Sequence, residues 1–265
     1  LNSLKEVAIK AANANVPVIA PLASTSDFEL ENVFFTIPSD QVLRERMLDF
    51  IEETRTDENI IVITDAKNKV VSEQIKEEFP VAQSVELLED EENISLDLEE
   101  FAALLSLETE NWVFVETDNF KVVSSVSSIL NSSNSDTTKV RMFTTNKNKA
   151  FENDVISGAH LSNLNFTYPS VYKETNNNAF VRRYRKRFGA DPDRYAVRGF
   201  DLTFDLLLKL AYKLNLFEVS NLVGITEYCG NKFDYNSELT SGFYNEASYI
   251  MMYQEMRITQ VKPEQ

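Results

Sequence analysis

Apolar residues in this chain follow two rhythms. Short unbroken blocks at Val16–Ala20, Val33–Ile37, Ile60–Thr64, Trp112–Val115 and Val140–Thr144 read as buried strands of a parallel sheet. Between them, apolar residues recur at helical spacing: Leu4, Val7, Ala8 and Ala11 within Leu4–Ala14, and Val42, Leu43, Met47, Leu48 and Ile51 in a helix opened by Pro38-Ser39-Asp40. Ser39 or Asp40 caps that helix. Further helices are expected from about Val70 to Phe79 and from Phe120 to Leu130, and Val81–Leu88 reads as a strand. Strand and helix alternate through the first half, which predicts an α/β fold with a doubly wound parallel sheet. Right-handed crossovers then gather the strand-to-helix loops at one sheet edge, where such folds bind ligands. Those loops are Asp65–Lys69, Glu116–Asn119 and Thr145–Lys149.

The pattern loosens over Val155–Tyr172, which reads as a connection, with His160 at the edge of a strand. Phe180, Tyr184 and Phe188 then repeat every fourth residue and put three rings on one helix face. Arg182, Arg183, Arg185, Lys186 and Arg187 occupy the other faces as a solvated surface. Gly189 ends this helix and Pro192 follows. A second helix starts near Tyr195 and is almost wholly apolar by Leu206. Ala247–Tyr253 and Arg257–Val261 read as a closing hairpin.

Composition removes several function classes. With 42 acidic against 26 basic residues the net charge is −16, a surface that repels phosphate backbones, so no nucleic-acid partner is expected. A single cysteine, Cys229, excludes an internal disulfide, and one histidine leaves little room for metal or acid/base schemes built on imidazole. Six glycines, none spaced as a phosphate-cradling loop, leave no nucleotide motif and no expected cofactor. The acidic run within Glu86–Glu100 lacks the ligand alternation and glycine turn of a calcium loop and reads as a solvated loop and helix start. No apolar run is long enough to span a membrane. The chain opens inside a helical segment with no leader ahead of it and reads as a piece of a longer precursor.

Four motifs stand in register. They are Asn15-Val16-Pro17-Val18-Ile19-Ala20-Pro21 with Ala23-Ser24-Thr25 behind it, Asn32–Asp40 (NVFFTIPSD), the order Phe-x3-Tyr-x3-Phe-Gly-x2-Pro-x2-Tyr over 180–195, and Gly199-Phe200-Asp201. Together they resemble the type 1 periplasmic solute-binding proteins, the superfamily of the leucine/isoleucine/valine-binding protein. That resemblance implies two α/β lobes joined by three crossings, with residues 1–57 and 172–228 as lobe one and 58–171 and 229–265 as lobe two. Lobe one would lack its leading strands and expose a sheet edge. The implied protein is extracytoplasmic and non-enzymatic. It would close its lobes around a small polar molecule such as an amino acid and hand it to a membrane transporter. Ala23, Ser24 and Thr25 would then offer donors to the ligand carboxylate, and Asp118 or Asp65 a carboxylate to its ammonium. Asn68, Thr117 and Thr145, in the same loops, complete the candidate set. The loop Asp65–Lys69 carries neither the aromatic nor the glycine usual in the family. This departure motivates an alternative: an envelope-interaction or sensory module that kept the fold without the ligand.

Overall fold

The structure is a computed structural model that describes residues 2–89, 94–175, 178–238 and 241–262. The chain opens with α1 (Asn2–Ala12), β1 (Val18–Ala20), β2 (Val33–Phe35), α2 (Asp40–Thr54), β3 (Asn59–Thr64), α3 (Lys69–Glu78) and β4 (Gln83–Glu86). A small antiparallel pair, β5 (Leu88–Glu89) and β6 (Ile94–Ser95), precedes α4 (Leu98–Leu104), β7 (Asn111–Glu116), α5 (Phe120–Ser133) and β8 (Val140–Phe143). Then come α6 (Gly158–Asn163), β9 (Thr167–Ser170), α7 (Ala179–Phe188), α8 (Arg194–Tyr212) and α9 (Leu216–Ser220). The remaining strands are β10 (Thr226–Glu227), β11 (Lys232–Phe233), β12 (Tyr235–Glu238), β13 (Gly242–Asn245), β14 (Tyr249–Gln254) and β15 (Arg257–Gln260).

The chain divides into two compact units, residues 1–42 with 170–249 and residues 43–169 with 250–265. The first is built on a four-stranded sheet in the order β1-β2-β13-β12, parallel from β1 through β13 and antiparallel at β12. β1 stands at its edge. Alternation along β2 sends Val33 and Phe35 to one face, against Ala8 of α1, and Phe34 to the other. There Phe34 stacks on Phe243 at 4.3 Å and packs with Leu202, Phe233 and Tyr235. Gly242 permits the close approach of β13 to β2: its φ is +99°, and a Cβ there would lie 2.7 Å from the Val33 carbonyl oxygen.

The second unit carries a seven-stranded sheet, β15-β14-β9-β8-β7-β3-β4, in which β4, β3, β7, β8 and β9 run parallel. Its core gathers Met47 and Ile51 from α2, Ile60 and Val62 from β3, Ile75 from α3, and Trp112, Phe114 and Phe143 from β7 and β8. The helix starts are marked by short polar caps. Ser39 Oγ accepts from Val42 N at 3.2 Å, Asp97 from Glu99 N and Glu100 N, Asn119 from Lys121 N, and Asp193 from Ala196 N. Asp97 thus caps α4 in the acidic run, while residues 90–93 of that run lie outside the described residues.

Four sequence expectations are corrected. The segment 229–265 does not go to the second lobe as a block: β12 and β13 extend the first sheet, and only residues from Ile250 onward join the second unit. The crossings fall at 42/43 and 169/170 rather than near 57 and 171. His160 lies in helix α6, capped by Ser157, and the expected connection holds both α6 and β9. The fourth concerns α7, where the three rings expected to account for the helix do not form its buried face. Val181 is the buried residue of that helix, Phe180 and Tyr184 are half-buried, and Phe188 is 60% exposed. Gly189 does end α7, at φ +74°.

Helix α8 is turned against its composition. Its inward stripe is Arg198, Asp201, Asp205 and Lys209, all buried, while Phe200, Phe204, Leu207 and Leu208 face outward. Buried charge is tolerated only when paired and hydrogen-bonded, and here it is. Lys209 Nζ lies 2.7 Å from both oxygens of Asp205, whose Oδ1 also accepts from Thr226 Oγ1 at 2.7 Å and Tyr228 Oη at 3.0 Å. Asp201 accepts from the backbone N–H groups of Cys229, Gly230 and Asn231 and from Asn231 Nδ2. Burial and the nearby Asp205 carboxylate push the Tyr228 phenol up to about 12.

Candidate functional site

In each unit the carboxyl ends of the parallel strands carry the chemistry. In the first, β1 and β2 end at Ala20 and Phe35, and Arg198 reaches from α8 to both. Its Nε donates to Pro21 O at 2.8 Å, its Nη2 to Thr36 O and Oγ1 at 2.7 Å each, and its Nη1 to Asn231 Oδ1 at 2.8 Å. Thr36 Oγ1 also lies 3.1 Å from Ala20 O and 3.0 Å from Pro21 O. The guanidinium therefore pins the start of the loop that holds Ala23, Ser24 and Thr25. Ile37 N donates to Ala23 O at 3.2 Å, which anchors the loop a second time. Ala23 and Ser24 are half-buried and Thr25 is exposed. Neither hydroxyl has a hydrogen-bond partner among the described residues, so both remain available as donors.

In the second unit three strand ends carry two hydrogen-bonded clusters. Asp65, after β3, accepts at Oδ2 from Thr117 Oγ1 at 2.6 Å, and at Oδ1 from Asn68 N at 3.0 Å and Asn68 Nδ2 at 2.8 Å. It thereby caps the short 3-10 turn Ala66–Asn68. Asn148 Nδ2, after β8, donates to Thr117 O at 2.9 Å and to Asp118 Oδ1 at 2.7 Å. Thr145 N and Oγ1 donate to the two oxygens of Glu116 at 2.6 and 3.0 Å. Of the five residues expected here, Asp65, Asn68, Thr117 and Asp118 share one cluster and Thr145 belongs to the other, in unequal roles. Asp65, Thr117 and Thr145 are buried, Asn68 is half-buried, and only Asp118 presents an exposed carboxylate. Both oxygens of Asp65 are taken up inside the edge itself.

Sequence reasoning missed Glu116, Arg198 and Asn148. Glu116 ends an otherwise apolar strand and pairs in register with Thr64. The one available signal was an acidic residue closing a buried block. Burial pushes its carboxyl up to about 7, against the opposing pull of the Thr145 donors and the Arg44 charge. Because the folded value exceeds the ordinary 4.5, Glu116 contributes stability that is fully present below about pH 4.5 and is lost as pH rises through 7. The unfolding free energy from urea titration should fall between about pH 5 and about pH 8, by up to about 3 kcal/mol. Glu116→Gln should flatten that slope, and an equal slope in the variant would assign it to another group.

A cavity of about 700 Å³ lies elsewhere, lined by Asn32, Phe217, Ser237 and Phe243 at the amino ends of β2 and β13, and it holds none of the predicted residues. Among the described residues no group of three or more metal-ligating side chains occurs, and no helix is long and apolar enough to cross a membrane.

No protein-family model and no curated protein matches the sequence. Solved structures do match. An ABC transporter substrate-binding protein from Desulfitobacterium hafniense in complex with Leu covers 96% of this chain over 76% of its own, with a TM-score of 0.57 at 14% identity. A second structure described as an ABC transporter substrate-binding protein from that organism gives 0.59 with the same coverage and identity. This chain has the fold of the type 1 periplasmic binding proteins. A branched chain amino acid ABC transporter periplasmic ligand-binding protein from Burkholderia xenovorans gives 0.61 at 9% identity, covering 97% of this chain and 72% of its own. At such identities the likeness extends to the binding-protein fold and not to any ligand.

Proposed function

We propose that this chain is a non-catalytic, extracytoplasmic solute-binding protein that takes a small polar ligand carrying both an ammonium and a carboxylate, and serves a membrane transporter. The observation that supports the reading is the second unit's carboxyl edge, where Asp65, Thr117 and Asp118 join in one hydrogen-bonded cluster at the position where open α/β sheets take ligands. Taken by itself, the first unit offers the two open hydroxyls of Ser24 and Thr25 as donors. The one exposed carboxylate, Asp118, suits an ammonium; Asp65, with its oxygens taken, acts through Thr117 as a positioning residue. Solved proteins of this fold include one complexed with Leu, which supports an amino acid as the first ligand to try.

Isothermal titration of the whole chain against the standard amino acids, with sugars and dicarboxylates as controls, tests this. One amino acid should bind saturably, and at about a hundredfold excess over its Kd should stabilise the fold by roughly 2.7 kcal/mol. Asp118→Asn should weaken binding by about tenfold or more, the worth of a charge-assisted hydrogen bond. Absence of binding by every amino acid, or unchanged affinity in the variant, would sink the proposal.

A further inference from the structure

The outward faces of α7 and α8, in the first unit, form a second candidate site. Phe180 stacks on Phe200 at 4.4 Å and continues through Tyr184 (5.8 Å) to Phe188 (4.5 Å). On α8, Phe200 stacks on Phe204 at 5.8 Å. Between the helices Phe180, Tyr184, Phe188 and Phe200 line a groove of about 540 Å³, with Arg183 and Arg187 along its α7 side and Cys229 in its lining. Phe200 and Phe204 are each 43% exposed and Phe188 60%. A contiguous exposed apolar patch of this kind marks an interaction surface.

Charge indicates what the groove takes. The chain as a whole carries −16, yet five of the six residues from 182 to 187 are cationic and none is acidic. Arg185 is engaged by Asp191 at 2.6 Å, whereas Arg183 and Arg187 stand one helical turn apart beside the rings. Arg187 lies 5.6 Å from the Phe188 ring. Aromatic rings with arginines at their rim are the composition of protein-binding hot spots. A groove between two helices accepts the apolar face of a third, read as anchors at helical spacing. We infer that the α7–α8 groove docks an acidic amphipathic helix of a protein partner, with its apolar side chains on the rings and its carboxylates on Arg183 and Arg187. An anionic bilayer fits less well, because the rings line a concavity and the rest of the surface repels negative charge.

The test uses the full chain and a fluorescein-labelled synthetic amphipathic helix with Leu and Trp on one face and Glu on the other, beside its Lys-for-Glu counterpart. Anisotropy should rise saturably with the Glu peptide only. Arg183→Glu/Arg187→Glu should weaken binding by about tenfold or more, and so should Phe200→Ala. Alkylation of Cys229, the sole cysteine, should slow when the wild-type groove is filled. Circular dichroism checks that the variants fold. No saturable binding of the Glu peptide, equal binding of the Lys peptide, or insensitivity to the double variant overturns the inference. So does wild-type self-association that the same variant abolishes, which would make a second copy the occupant, or binding to phosphatidylglycerol vesicles without binding to the peptide.

Discussion

Lys209→Met should lower the stability of the first unit by about 3–5 kcal/mol, read as a fall in the urea midpoint at unchanged slope. The substitution keeps volume and helix propensity but leaves the Asp205 carboxylate, 0% exposed, without its cation. Thr226 and Tyr228 still donate to Asp205 Oδ1, but two neutral donors do not replace an ammonium that contacts both oxygens at 2.7 Å. The double variant Lys209→Met/Asp205→Leu should recover much of the loss, because removing both charges also removes the desolvation cost. Thr226 keeps the Phe233 carbonyl as an acceptor in that variant. A single variant within about 1 kcal/mol of wild type would mean that water reaches the pair and that this stripe of α8 is not sealed.

Arg198→Met should cost about 4 kcal/mol. It strips the donor from Thr36 Oγ1 and Asn231 Oδ1, each a buried acceptor worth about 1–3 kcal/mol when left unpaired, and leaves Pro21 O with Thr36 Oγ1 as its remaining donor. Thr36 O is spared, since Asn245 Nδ2 also donates to it at 2.9 Å. Arg198→Lys should rescue little, because one ammonium cannot span the three directions that the guanidinium fork serves. The effect should reach the loop that holds Ser24 and Thr25. With Pro21 O held by Thr36 Oγ1 alone, hydrogen exchange over residues 21–25 should quicken before global unfolding, and affinity for the proposed ligand should fall even well below the melting temperature. Loss of stability without faster exchange in this loop would separate Arg198 from the site.

Much of the architecture was legible in the chain. The apolar blocks at Ile60–Thr64 and Trp112–Val115 could only be buried strands, and the loops that follow them had to share one edge once the crossovers were right-handed. That reasoning located Asp65, Thr117, Asp118 and Thr145 without knowledge of any contact. It did not rank them. Asp65 and Asp118 are the same kind of acid in the same kind of loop. Their difference arises because Asn68 and Thr117 close around the first and leave the second exposed. Glu116 escaped notice because its raised value comes from burial, which a neighbouring loop completes through Thr145.

Helix α8 marks the boundary most clearly. Its start, its cap at Asp193 and the turn at Gly189 are decided by residues within one or two turns, and the sequence by itself determined them, along with the strand blocks and the four motifs that pointed to the binding-protein fold. Which stripe of α8 faces inward depends on distant chain. Arg198 is matched to Pro21, 177 residues away, and Asp201 to Gly230, 29 residues away. Without those partners an apolar face is the one a helix should bury. With them, burying the charges becomes the lower free-energy arrangement and the rings are left outside. Only the tertiary structure could decide that.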